Sequence, residues 1–278
     1  MRNTLVKLSI YMAMPLAFLL FWQMMSTIID NKIILPGISD VYILLKSPTQ
    51  PMIGMGSLVD NLTISLIRVL TGYTAAFCLA IPLGMFMGYS KVIFSLFHYF
   101  LGLFRPIPPL AWVPLVLAWF GVSSLAMFSP FQSGQVYIYL RNIQISMVFI
   151  IFIGAFFPIL LSTIYGVQNI RKTLIESART LGGNEFKIFW KILIPASAPS
   201  IVNGMRIGLG VAWMCLVSAE MLPGSISGVG YLIIHAYTVA RTDVVIAGMI
   251  SIGVVGVMLD TIFKTIETRN FAWQSKYR

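Results

Sequence analysis

Six runs of mostly apolar residues, near 9–29, 64–89, 104–121, 145–166, 199–222 and 244–265, take up most of this chain and set what it can fold into. Each is close to the roughly 20 residues an α-helix needs to cross the hydrocarbon of a bilayer. No water is available there to bond backbone N–H and C=O groups, so each run has to bond within itself as a helix. Only 10% of the 278 residues are charged, against about 25% in a soluble domain. The expectation is an all-α integral membrane protein with six transmembrane helices.

The net charge of +10 invites a nucleic-acid reading, but the Lys and Arg are scattered between apolar runs and build no basic face. A positive-inside signal explains them better. With the N-terminus inside, Arg2, Lys7, Lys91, Arg171, Lys172, Arg179, Lys187, Lys191, Lys264, Arg269, Lys276 and Arg278 are cytoplasmic. Lys32, Lys46, Arg141 and Arg241 fall outside, while Arg68, Arg105 and Arg206 sit too near membrane ends to assign. Both termini are therefore expected in the cytoplasm. The basic start and following apolar run look superficially like a signal peptide, but no small-x-small site follows, so the run reads as a retained helix. Cys78 and Cys215 both lie in apolar runs and imply neither a disulfide framework nor a metal cage. His98 and His235 are far apart, with no metal-ligand spacing.

Residues 173–195 form a polar, basic segment between two of the apolar runs. Thr173 and Glu176 have the spacing of a capping box, so a short helix is expected to start there. Gly182-Gly183 tolerates positive φ and ends it. Asn184 can cap a second helix through Trp190, and Pro195 marks a turn into the next crossing. Ile175, Ala178 and Leu181 share one face. A helix this short is not stable alone; either a partner surface holds it or it lies on the membrane as an amphipathic segment.

The order Glu176-Ser177-Ala178, then Gly182, then Ile192-x-Ile194-Pro195 resembles the EAA loop of permease subunits in binding-protein-dependent ABC importers, with Ser177 and Ile194 as mild departures. Further segments are similar to the nitrate/sulfonate/taurine/bicarbonate branch of that family. They are Phe104-Arg105-Pro106-Ile107-Pro108-Pro109-Leu110-Ala111-Trp112, Ala212-Trp213-Met214-Cys215-Leu216-Val217-Ser218-Ala219-Glu220-Met221, and the stretches 65–73, 154–167 and 227–233. The resemblance implies a MetI-like ABC permease bundle in the cytoplasmic membrane. It implies a second copy of the chain, two ATPase subunits inside, and an extracytoplasmic substrate-binding protein. It implies a coupling loop in which Glu176, Ser177, Ala178, Leu181, Gly182, Ile192 and Pro195 engage the ATPase. The chain then divides into 1–60 (first helix and an extracytoplasmic segment), a transmembrane core at 61–266, and a cytoplasmic tail at 267–278. No P-loop occurs, so ATP and Mg are expected on the partner subunit and no cofactor in this chain.

About twenty residues near 124–144 depart from that pattern. They read as an extracytoplasmic insertion, with turns at Pro130 and Ser133-Gly134 and weak strand-like alternation over 136–141. Either the insertion is a tolerated surface loop or it contacts the binding protein.

The candidates for the translocation path are Arg105, Pro106, Pro108, Pro109, Trp112 and Glu220. Four prolines at 106, 108, 109 and 114 break helix geometry, and broken backbone at membrane depth is tolerated where it lines a cavity or is packed in protein. Arg105 either attracts an anion or snorkels to the interface. Glu220, ionisable inside an apolar run, is a functional candidate by default, but a carboxylate repels an anion, so pairing with a cation or backbone donors fits it better. Asp260 reads as an interfacial anchor close to Lys264. The Gly84/Gly88 and Gly204/Gly208 pairs allow close helix approach within one chain or at a dimer seam.

Two other classes compete. An integral membrane enzyme needs clustered catalytic residues, and the nine acidic residues are scattered. A self-contained secondary transporter or channel has no use for a Glu–Gly–Pro cytoplasmic loop and usually shows internal repeats. The reading is a non-catalytic permease for a small anionic solute of the sulfonate, taurine, nitrate or bicarbonate class.

Overall fold

The computed structural model describes residues 2–128, 130 and 133–271, and of residues 2–12 and Gln135 the backbone only. Tail positions 272–278, with Lys276 and Arg278, lie outside the described residues, as do 129, 131 and 132 of the insertion. The α-helices are α1 (Arg2–Ile29), α2 (Ile38–Lys46), α3 (Leu58–Tyr89), α4 (Lys91–Phe104), α5 (Val113–Phe120), α6 (Gln135–Asn142), α7 (Ile145–Gln168), α8 (Lys172–Thr180), α9 (Glu185–Ile188), α10 (Ile194–Glu220), α11 (Val229–Thr238) and α12 (Thr242–Asn270). Among the described residues, β-pairing is limited to two isolated bridges.

Four helical stretches are long and apolar enough to cross a membrane: α3, α7, the continuous helix Glu185–Glu220 and α12. The third expected crossing, 104–121, is not one helix. Here α4 and the segment Pro109–Phe120 meet at an 81° bend. Pro106 and Pro108 fall between the two helical pieces and supply no N–H donors to continue α4, while Pro109 and Pro114 stand in first turns, where proline is tolerated. The described apolar part of the first helix, Ala13–Ile29, is shorter than the other spans.

Two compact units emerge, Met1–Thr63 with Ser227–Gly253, and Ile64–Ile226 with Val254–Arg278. In the first, Trp22 Nε1 donates to the Pro36 carbonyl at 3.0 Å and Ser26 Oγ to the Leu35 carbonyl at 3.1 Å, fixing the turn after α1. Ser57 caps α3 in a reciprocal box: its backbone N–H donates to Asp60 Oδ2 at 3.1 Å, and the Asp60 N–H donates to Ser57 Oγ at 3.1 Å. Asn61 Nδ2 donates to the carbonyls of Met55 and Ser57, and Asn61 Oδ1 accepts the Gly228 N–H at 2.9 Å.

In the second unit α7 is the shared packing partner. A Cβ on Gly84 of α3 would lie 2.8 Å from Thr163 Cβ, and one on Gly204 of α10 only 2.4 Å from Ser162 Cβ. Both glycine pairs therefore serve helix approach within the chain, where small residues let backbones come close and maximise dispersion contact. The strand-like stretch 136–141 is helical instead, inside α6. Six residues of alternation cannot separate the two periods, and pairing there is limited to the bridge between Ser124 and Gln144.

Candidate functional site

The segment 173–195 folds as a short helix on a turn, set against the chain's own core. α8 begins at Lys172 with Arg171 as N-cap and no side-chain cap bond. The expected capping box does not form, because Thr173 sits one residue inside the helix and its hydroxyl no longer faces the orphan N–H groups. The C-terminal end matches expectation. Gly182 has φ +79°, its N–H donates to the Arg179 carbonyl at 3.0 Å, and the Gly183 N–H donates to the Ala178 carbonyl at 2.9 Å. These are the paired bonds of a Schellman turn. Gly183 is required for a different reason: a Cβ there would meet the Ala178 carbonyl oxygen at 2.7 Å.

Ile175 and Ala178 pack against Met85, Val167, Ile188, Leu193 and Ile201, and Ile192 joins the same cluster. So the face that holds α8 belongs to this chain. Leu181 does not share it: as the helix cap it points out and is 88% exposed. Glu176, Ser177, Gly182 and Pro195 are also exposed. Leu174, Phe186 and Trp190 are exposed beside them. The loop thus presents exposed apolar side chains among basic ones.

Asn184 caps α9 as expected, its Oδ1 accepting the Lys187 N–H at 2.8 Å. Pro195 makes no turn. A π-helical segment, Phe189–Leu193, joins α9 to α10 in one helix. The Ile194 N–H donates to the Phe189 carbonyl, and this wider winding accommodates the donor that Pro195 lacks. Sequence reasoning also missed a three-way contact. Arg179 Nε donates to Glu185 Oε1 at 3.0 Å, and the Tyr89 hydroxyl donates to Glu185 Oε2. The C-terminal end of α8, the first turn of α9 and the last residue of α3 are tied together. The Arg179–Glu185 spacing across two glycines was the available signal.

At the proline break, Arg105 caps α4 and is exposed. Pro106 and Pro108 are exposed and Pro109 partly buried, opening a short 3₁₀ turn, Pro109–Trp112. Trp112 packs on Phe104 and Phe149, and its buried Nε1 meets no acceptor among the described residues. Buried indole N–H groups usually find a partner.

Glu220 stands apart from these. It is fully buried and paired with Arg68 at 2.7 Å, with Ser65 Oγ donating to both carboxylate oxygens at 2.8 and 2.9 Å. Arg68 Nε also donates to the Asn142 carbonyl at 2.7 Å. Asp260 is bonded by Arg206 through two bonds of 2.5 and 3.0 Å, with Lys264 near enough to act on it electrostatically.

Membrane-length helices, a proline-broken segment and a surface helix packed on the core define a helical membrane protein. A family model described as binding-protein-dependent transport system inner membrane component matches residues 80–271. A putative ABC transporter permease protein of Methanocaldococcus jannaschii is 46% identical over 268 residues, covering 96% of this chain and 93% of the relative. The taurine transport system permease protein of Escherichia coli is 30% identical over 220 residues, 79% and 72% of the two chains. The nitrate import permease protein of Synechocystis is 34% identical over 204 residues, 73% and 66%. The chain belongs to the family of inner-membrane permease subunits of binding-protein-dependent ABC importers.

Proposed function

We propose that this chain carries a small oxoanion, a sulfonate or nitrate-like solute, across the cytoplasmic membrane as one of a pair of copies. Two ATPase subunits sit on the 173–195 loops, both termini are cytoplasmic, and a binding protein delivers substrate from outside. The chain itself hydrolyses nothing and holds no cofactor; ATP and Mg belong to the ATPase.

The observation that carries this reading is the exposed apolar set Leu174, Leu181, Phe186 and Trp190 around a helix whose other face is anchored in the bundle. ATP-driven closure of the ATPase pair displaces α8. Because α9 and α10 are one helix, that displacement enters the membrane along α10, and the π-helical segment is where the helix can flex. The path then opens alternately to the two sides. At the proline break, the exposed Arg105 guanidinium is a donor suited to an oxoanion, which fits the solutes named for the taurine and nitrate relatives.

The test is to replace Leu174 and Leu181 together by Asp. The expected result is a folded permease from which the ATPase no longer co-purifies and which takes up no taurine or nitrate in proteoliposomes. Normal assembly and uptake would reject the docking role.

A further inference from the structure

We propose that the turn Leu125–Phe128 and α6, between α5 and α7, are membrane-seated, their exposed apolar side chains in the outer leaflet of the orientation given under Proposed function. The base of this excursion is rigid. Ser124 and Gln144 form an antiparallel bridge; the Leu125 N–H donates to the Ile143 carbonyl and the Ile145 N–H to the Ser123 carbonyl, each at 3.0 Å. This neck is fastened to the bundle twice: the fully buried Arg68 donates to the Asn142 carbonyl, and Gln144 Nε2 donates to the Gly224 carbonyl at 2.7 Å. A loop tolerated only for its harmlessness needs no such anchorage.

What the neck holds up carries exposed apolar side chains. Met127, Phe128, Val136, Ile138 and Tyr139 are all exposed, Phe128 at 79% and Ile138 at 59%. The chain carries no charged residue between Arg105 and Arg141, whereas a water-facing surface of this size carries charges of both signs. Leu115 and Trp119 of α5 are exposed as well, so the chain approaches the excursion from an apolar helix, with only Ser123 and Ser124 as polar side chains between Trp119 and Phe128. Tyr137 and Tyr139 followed by Arg141 are the residue types that settle at headgroup level with apolar neighbours below. A binding protein that docks and leaves would expose this patch to water between encounters, at a cost proportional to its apolar area; lipid covers it permanently.

The experiment uses the complete transporter in nanodiscs of phosphatidylcholine and phosphatidylglycerol. Cys78, which is exposed, is replaced by Ser, and nitroxide labels are placed at Phe128→Cys, Ile138→Cys and, as a control on the exposed polar turn after α1, Lys32→Cys. Labels at 128 and 138 should collide more with oxygen than with a water-soluble nickel chelate, with and without liganded binding protein, while the control shows the reverse ratio. Chelate access exceeding oxygen access at 128 and 138 would overturn the proposal. So would shielding from chelate that arises only when the binding protein is added, which would make the excursion a protein-docking surface.

Discussion

Arg68 Nη1 meets Glu220 Oε1 at 2.7 Å across 152 residues of sequence, and neither side chain reaches solvent. Two charges this deep are held by each other and, among further partners, by Ser65 and the Asn142 carbonyl. Removing one partner leaves the other charged and unsolvated, a loss of about 3–5 kcal/mol. Arg68→Ala and Glu220→Ala should each lower the melting temperature of the detergent-solubilised protein sharply. Arg68→Met with Glu220→Leu should recover much of that loss, because an apolar pair of similar volume carries no desolvation cost.

The Schellman turn gives a second expectation. Gly182→Val forces a β-branched residue to φ +79°, and Gly183→Ala drives a methyl into the Ala178 carbonyl. Strain at such positions costs on the order of 1–3 kcal/mol locally, too little to unfold the bundle and enough to reshape α8. Both variants should insert normally while solute imported per ATP hydrolysed falls severalfold, measured in proteoliposomes.

The Arg179–Glu185–Tyr89 contact is half-open to solvent, so its worth in stability is small, about 0–1 kcal/mol. Its expected effect lies in transmission. Arg179→Ala and Tyr89→Phe should leave the melting temperature within a degree or two while lowering the ratio of uptake to ATP hydrolysis. An unchanged ratio with a lowered melting temperature would make the contact merely structural.

Helix approach supplies the fourth. Gly204→Val must push α10 away from Ser162 on α7, and overpacking of this kind costs about 1–3 kcal/mol. Thermal unfolding in detergent should show it, with Gly210→Val, where an added Cβ meets nothing within 4 Å, as the quiet control.

How much of this was legible in the sequence follows from the range of the forces involved. α3 and α7 are long apolar runs, and length alone identifies them. The break after Arg105 is local covalent chemistry, four prolines in nine residues, and so is the Gly182 turn. The Thr173–Glu176 spacing makes no capping box because such spacing recurs by chance, and α8 already begins at Lys172, with Ile175 and Ala178 packed on the core. Pro195 was read as a turn because the π-helical segment that absorbs it has no simple signature. The ion pairs were the hardest: Arg206 and Asp260 lie 54 residues apart, and only packing brings them together. For Arg68 and Glu220 one signal existed. An arginine and a glutamate each isolated within apolar runs are most cheaply buried as partners.

The central claim is that the 173–195 loop is where an ATP-hydrolysing subunit grips this chain. Placing a photo-crosslinking amino acid at Leu181, the most exposed of the loop's large apolar side chains, tests it in the assembled transporter. The account predicts efficient cross-linking to the ATPase subunit that changes on ATP binding, with none from Tyr42 in α2. Cross-links from Leu181 to lipid or to the binding protein, with the ATPase uncaptured, would contradict it.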